Sequence, residues 1–118
     1  METKYINKRI PIPSKKGLDF VFVNHIIYCE ADGNYTRLFL INDRSILTSK
    51  PIKWFMTQLS GSSNFCRIHN SYIVNTDYVE QYIRGDGGQV KMVDEKYLSV
   101  SRARKRDLLQ LLNRVPGN

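Results

Sequence analysis

Four cations, Arg102, Arg104, Lys105 and Arg106, fall within five residues near the end of the chain. Their chemistry suits a polyanion. Arginine presents two parallel N–H donors that match O6 and N7 of a guanine edge, and any of the four can neutralise a phosphate. Asn70 lies in a polar break, His69-Asn70-Ser71, between two apolar stretches. A carboxamide there can accept from the exocyclic amine of adenine and donate to its ring nitrogen. Tyr35 follows the turn signal Asp32-Gly33-Asn34, and a turn carries side chains past the end of a sheet. Its hydroxyl can bond a phosphate or a base edge, and its ring can pack on a thymine methyl. Asn70 and Arg102 are therefore candidates for base contact, and Tyr35 can reach a groove from its turn. Each has a plainer reading beside this one: a surface tyrosine next to a hairpin, an amide bonding its own backbone, a solvated basic face.

Asn34, Arg37, Lys50, Arg67, Ser71, Arg104, Lys105 and Arg106 are candidates for phosphate contact, which positions a protein on a duplex without reading its sequence. Ser71 and Asn75 are read as tying loops down or touching phosphate. His69 stands alone among possible ligands, and a lone histidine is more commonly a hydrogen-bonded structural residue. Enzyme chemistry finds little support. The acids Glu30, Asp32, Asp86 and Asp94 fall singly in turns and at strand ends, whereas nuclease chemistry needs clustered carboxylates or a nucleophile with its base. Gly85-Asp86-Gly87-Gly88 invites a phosphate-loop reading but lacks the lysine and following helix of a P-loop, so it is read as a turn. Cys29 and Cys66 form no paired-cysteine motif and read as reduced core thiols. No metal and no cofactor are expected.

The bulk quantities agree. The chain has 118 residues and a formal charge of +7, with a pI near 9.6. That balance favours DNA, RNA or an acidic membrane surface as partner. The length suits one domain, and 42% apolar residues suits a globular one. The longest apolar runs fall far short of the roughly 20 residues needed to cross a bilayer. The first residues show no secretory signal pattern. A cytoplasmic protein with no membrane partner is the expectation.

These residues need elements to hold them. Residues 1–8 read as a polar tail or linker, 9–113 as the domain and 114–118 as a C-terminal tail. Ile10 and Ile12 alternate with Pro11 and Pro13, so this segment can be only an edge strand. Leu18–Val23, Ile26–Glu30, Tyr35–Ile41 and Ser45–Thr48 read as short strands separated by turn signals. The period then changes: Ile52, Phe55, Met56 and Leu59 share one helix face. Ser49 is a candidate cap, Pro51 suits the first turn and Gly61 the end. Trp54 points away from that stripe and is expected to be exposed, either tolerated on the surface or contacting another domain or protomer. From Cys66 to Asn75 the alternation predicts strand, polar kink, strand. Val79–Ile83, Gln89–Val93 and Tyr97–Val100 follow as an antiparallel meander. Ser101 can cap a last helix striped by Leu108, Leu111, Leu112 and Val115, whose first turn would hold the cation cluster. Cations are unfavourable at a helix N-terminus, which makes sense if phosphate neutralises them. The sum is a mostly β protein with two short helices and no α/β repeat.

Three segments resemble a known family. Ile27-Tyr28-Cys29-Glu30-Ala31-Asp32-Gly33-Asn34-Tyr35-Thr36-Arg37-Leu38 is similar to the first signature of the LytTR DNA-binding domain. Phe65-Cys66-Arg67-Ile68-His69-Asn70-Ser71-Tyr72-Ile73-Val74-Asn75 is similar to the second, and Leu98-Ser99-Val100-Ser101-Arg102-Ala103-Arg104-Lys105 to the third. Order and spacing also fit, and the middle segment is the most specific. The resemblance implies an elongated stack of antiparallel β-sheets whose loops enter two successive major grooves of double-stranded DNA. It places a base-reading or backbone-contacting residue at Tyr35, taken as a third candidate for base contact, and supports base contact at Asn70 and Arg102. It further implies a bacterial response regulator of a two-component system, with a receiver domain in the parent protein, tandem direct repeats as target and a homodimer on DNA. The competing reading is a basic, β-rich RNA-binding or protein-interaction module. That reading requires aromatic residues on one open sheet face, and Tyr28, Tyr35, Phe39 and Tyr82 do not alternate so as to form one.

Overall fold

Alternation of apolar and polar residues along short segments, broken by turn formers, makes ten strands and two helices in a computed structural model describing residues 8–62 and 64–113. The strands are β1 Arg9–Ser14, β2 Gly17–Phe22, β3 Ile26–Asp32, β4 Tyr35–Leu40, β5 Arg44–Thr48, β6 Phe65–His69, β7 Tyr72–Asn75, β8 Val79–Ile83, β9 Gln89–Met92 and β10 Tyr97–Ser99. The helices are α1 Ile52–Leu59 and α2 Lys105–Leu112. All pairings are antiparallel. They form a five-stranded sheet in the order β5-β4-β3-β7-β6, a three-stranded sheet β10-β9-β8 and the hairpin β1-β2.

The five-stranded sheet is the middle layer, and both of its faces are covered. Leu38, Leu40, Cys29, Phe65 and Ile73 join a core with Ile10, Ile12 and Val21 of the hairpin and Ile52, Phe55 and Leu59 of α1. Tyr28, Cys66, Ile68 and Val74 join a second core with Val90, Met92, Leu98 and Val100 of the three-stranded sheet and Leu108 of α2. Strict alternation would send Ile26 and Tyr28 to one face. Instead the register of β3 against β4 shifts between them, putting Ile26 in the first core and both Ile27 and Tyr28 in the second. A bulge of this kind re-aims side chains. Tyr28 thereby stacks on Phe39 at a centroid distance of 4.4 Å.

Most of the elements expected from sequence are present, the edge strand among them: Ile10 and Ile12 are buried while Pro11 faces out. Asn42 and Asp43 both take left-handed backbone, φ 65° and 59°, the signature of a tight hairpin turn whose twist matches its strands. Three expectations need correction. Ser49 does not cap α1; Pro51 occupies that position and no side chain caps the helix. Gly61 does lie just past the end, after the C-cap Ser60, but without the left-handed backbone of a glycine cap. Ser101 makes no side-chain cap either. It precedes a 3-10 turn, Arg102–Arg104, and the α-helix begins only at Lys105. Trp54 is half-buried rather than exposed. Its ring is broad enough to fold back onto the first core, edge-on to Phe55 at 4.8 Å, with the Lys50 ammonium 5.4 Å from its centroid. Leu108 of the last stripe is buried. Val115 and the segments 1–7 and 114–118 lie outside the described residues.

One buried side chain ties the lower end of the middle sheet. Asn75 is fully buried. Its Nδ2 donates to the Ile26 carbonyl at 3.0 Å, and its Oδ1 accepts from the Asp77 amide at 3.0 Å and from Asn64 Nδ2 at 2.8 Å. Of the two roles open to it, loop tying or phosphate contact, burial leaves only the first. Asn75→Ala strands the Ile26 carbonyl and the Asp77 amide, while Asn64 Nδ2 keeps Asp77 Oδ2 at 3.1 Å, so it is expected to lower unfolding free energy by about 2–4 kcal/mol in urea titrations. The thiols give a second test. Burial pushes Cys29 up to about 12 from the ordinary 9.0. Cys66 is also raised, first by burial and then by Asp107, against an opposing pull from Arg104. Neither is in a disulfide. Both should resist a thiol reagent at pH 8 until the protein is unfolded. The folded state keeps the Cys29 proton that the unfolded chain releases, so stability should fall as pH rises from about 9 to 12. Cys29→Ala should flatten part of that decline in thermal melts.

Candidate nucleic-acid interface

The strand directions decide which loops meet. β3, β5 and β6 run toward one end of the middle sheet, and β4 and β7 run away from it. That end therefore collects the turn from Asp32 to Tyr35, the exit of β5 toward Lys50, and the turn from His69 to Tyr72. From β5 to β6 is four strand spacings, about 19 Å. Two backbone bonds cross between segments distant in sequence. The Ala31 amide donates to the Ser71 carbonyl at 2.8 Å, joining the first two turns. The Ser101 amide donates to the Ile68 carbonyl, also at 2.8 Å, fastening the start of the cation cluster beside the tip of β6. Tyr35, Asn70 and Arg102 are thus brought to one end of the molecule, and all three are exposed.

The second turn is braced from within. Arg67 Nε donates to the His69 carbonyl at 2.9 Å, and Arg67 Nη2 donates to the Asn70 carbonyl at 2.7 Å. The Ser71 amide donates to His69 Nδ1 at 3.0 Å. His69 is thus a hydrogen-bonded structural residue, and its ring lies 5.4 Å from that of Tyr72. The carbonyls of the turn are occupied, while the Asn70 side chain stays exposed. Partial burial, with the Arg104 cation close by, holds the Arg67 guanidinium below its ordinary range. Arg67 was expected as a phosphate contact, and the structure gives it the further task of shaping the loop that presents Asn70.

The first turn is anchored by Thr36. This fully buried residue donates through Oγ1 to the Lys50 carbonyl at 2.7 Å. Lys50 is thereby held at the same end as Asn34 and Tyr35. Arg37 differs: it sits within β4 opposite Glu30 and Leu47, half-buried on the sheet face. Of the last cluster, Arg102 and Arg106 are exposed, while Arg104 and Lys105 are half-buried. Arg102 stands in the 3-10 turn ahead of α2, and the acid Asp107 lies in the first α-helical turn. The dipole cost expected for the whole cluster therefore falls on Lys105 and Arg106, partly offset by Asp107.

Sequence reasoning missed one participant. The loop between β8 and β9 packs against the cluster. Gly88 accepts from the Val100 amide at 2.9 Å. Lys105 Nζ donates to the Asp86 carbonyl at 3.5 Å, and Arg102 Nε stands 3.4 Å from Asp86 Oδ1. The only signal in the sequence was three glycines where a turn needs fewer. Among the described residues no group of three or more His, Cys, Asp or Glu could hold a metal, and no helix is long and apolar enough to cross a membrane.

Comparison with known proteins identifies the family and the fold. The LytTr DNA-binding domain description matches residues 16–113. The chain belongs to the LytTR DNA-binding domain family. Among solved structures, a Bacillus cereus chain described as a LytTr DNA-binding domain superposes with a TM-score of 0.74 at 17% identity, covering 91% of this chain and 98% of that one. At that identity the match speaks for the fold. No curated protein matches in sequence. The three LytTR-like segments of the sequence contribute the β3–β4 turn, the β6–β7 turn and the 3-10 turn, the loops that this LytTR domain brings to one end.

The brace on the second turn can be tested without DNA. Lysine has a single point charge where arginine has a fork, so Arg67→Lys cannot serve both carbonyls. It should speed amide exchange at Asn70 and Ser71 and cost about 1–2 kcal/mol of stability, with the remaining sheet amides unchanged by NMR.

Proposed function

We propose that this LytTR domain is the sequence-specific, double-stranded DNA-binding part of a bacterial transcription regulator, reading base edges in the major groove through loops. The observation that carries the reading is the gathering of three exposed side chains with guanine, adenine and thymine chemistry, Arg102, Asn70 and Tyr35, at one end of a rigid sheet. Membership of a DNA-binding family supports it, as does the charge of +7. Asn34, Lys50, Ser71, Arg104, Lys105 and Arg106 flank the three as phosphate contacts, with Arg37 and Arg67 behind them. As the family resemblance implies, the loops enter two successive major grooves on one side of the duplex.

The parent is a two-component response regulator with a receiver domain, working in the cytoplasm. Two copies bind tandem direct repeats, each holding its half-site weakly when isolated. An RNA-binding module fits less well. Single-strand readers stack bases on aromatics of one open sheet, but Tyr28 is buried and the Tyr82 hydroxyl is spent on the Gly87 carbonyl at 2.7 Å. The exposed aromatics Phe20, Tyr35 and Tyr97 lie on three different sheets. Enzymatic activity is not part of the proposal.

Selection from randomised duplexes, followed by titration against duplex, single-stranded DNA and RNA, tests the reading. A reproducible duplex motif is expected; equal affinity for all three nucleic acids would overturn it. On the selected site Arg102→Ala and Asn70→Ala should each cost about 1–3 kcal/mol, and much less on random duplex. If about six phosphates are contacted, the log–log salt slope should be roughly −5.

A further inference from the structure

Asp86 is an acid on the surface that would face a polyanion, and its neighbours hold it there. We propose that Asp86 is a specificity-determining positioning residue, which grips Arg102 through Nε and so leaves its terminal amines as a fork for one guanine. The inference rests on the base-reading role proposed for Arg102.

The loop is built for close approach. A Cβ on Gly87 would fall 2.0 Å from the Val100 carbonyl oxygen and 3.0 Å from the Arg102 amide nitrogen. Only glycine lets the β8–β9 loop lie directly on the strand that leads into the cluster. Tyr82 Oη clamps the loop from below by donating to the Gly87 carbonyl at 2.7 Å. Gly88 closes it by donating to the Gly85 carbonyl at 2.6 Å. Between them Asp86 takes left-handed backbone, φ 55°, a conformation that aspartate and asparagine tolerate better than most residues. The result carries the carboxylate to Arg102 Nε at 3.4 Å, while the Asp86 carbonyl takes the Lys105 ammonium at 3.5 Å.

In water this pair contributes little. Both side chains are open to solvent, 81% and 76% exposed, and exposed ion pairs are weak. On DNA the balance changes. Closing a groove over the pair removes water, lowers the local permittivity and strengthens the contact. With the Asp86 carboxylate set beside Nε at ion-pair distance, the two terminal nitrogens of Arg102 present the parallel donors that O6 and N7 of guanine accept. Facing any other base, the same fixed fork is left unsatisfied. The carboxylate also repels phosphate, so it weakens attachment to unselected DNA. The repulsion weakens both kinds of site, so it is the orientation of Arg102 that widens the gap between cognate and random sites.

The test uses the intact domain and its selected duplex, with Asp86→Asn as the main variant, since asparagine suits the left-handed backbone. Relative to wild type, Asp86→Asn should bind random duplex severalfold more tightly and lose about tenfold in the ratio of cognate to random affinity. The loss should be confined to substitutions at one base pair of the site, and the melting temperature should be unchanged. In an Arg102→Ala background the same substitution should leave the ratio where it was. An equal gain on cognate and random duplex would make Asp86 a plain electrostatic brake and overturn the proposal. So would a ratio change that persists without Arg102. If wild type itself shows no preferred duplex, the base-reading function fails first, and that result is distinct from a wild type that selects a site with Asp86 irrelevant to it.

Discussion

The loops gathered at one end of this domain are fastened to one another by two backbone hydrogen bonds, one at the tip of β3 and one at the tip of β6. β6 gives its outward carbonyl at Ile68 to Ser101, and the turn after it gives the Ser71 carbonyl to Ala31. These bonds join turns that are far apart in sequence. Buried polar backbone groups must be paired, so once the sheet assembles, the three loops have one mutual arrangement open to them. The apolar layers on both faces supply the driving force. The hydrogen bonds decide which loops stand next to which.

That arrangement separates rigidity from exposure. Thr36, Asn75 and Arg67 each spend their polar atoms on backbone carbonyls or amides. They touch no solvent or only part of it, and they stiffen the frame. Asn70, Tyr35 and Arg102 stand in front of that frame with their side chains outward. A reader of base edges needs this division, because a donor pair placed loosely loses its geometric selectivity. Lys50 stands between the two groups: its carbonyl is held by Thr36 and its ammonium lies against Trp54.

Charge follows the same logic. A cluster of arginines alone would hold any nucleic acid, since phosphate attraction carries no sequence information. Cations concentrated in one exposed turn give affinity. Selectivity requires that they be oriented, and the turn ahead of the helix is restrained by the tip of β6 through the Ser101 amide and by the neighbouring β8–β9 loop. Asp86 and Gly87 belong to such a loop, and their composition makes sense only beside Val100 and Arg102.

The sequence by itself determined the strands, the first helix, the turn at Asp32 to Asn34 and the polar kink at His69 to Ser71. Alternation, helical period and turn formers are local signals, read over a few neighbouring residues. It also marked Tyr35, Asn70 and Arg102, because their functional groups and loop positions are local properties too. The tertiary structure decided the rest. The 3-10 turn at Arg102, the folding back of Trp54, the brace from Arg67 and the grip of Asp86 each depend on a partner contributed by packing. The bulge in β3 was hidden for the same reason: Ile26, Ile27 and Tyr28 are all apolar, so only the two cores on opposite faces could say which way each side chain must point.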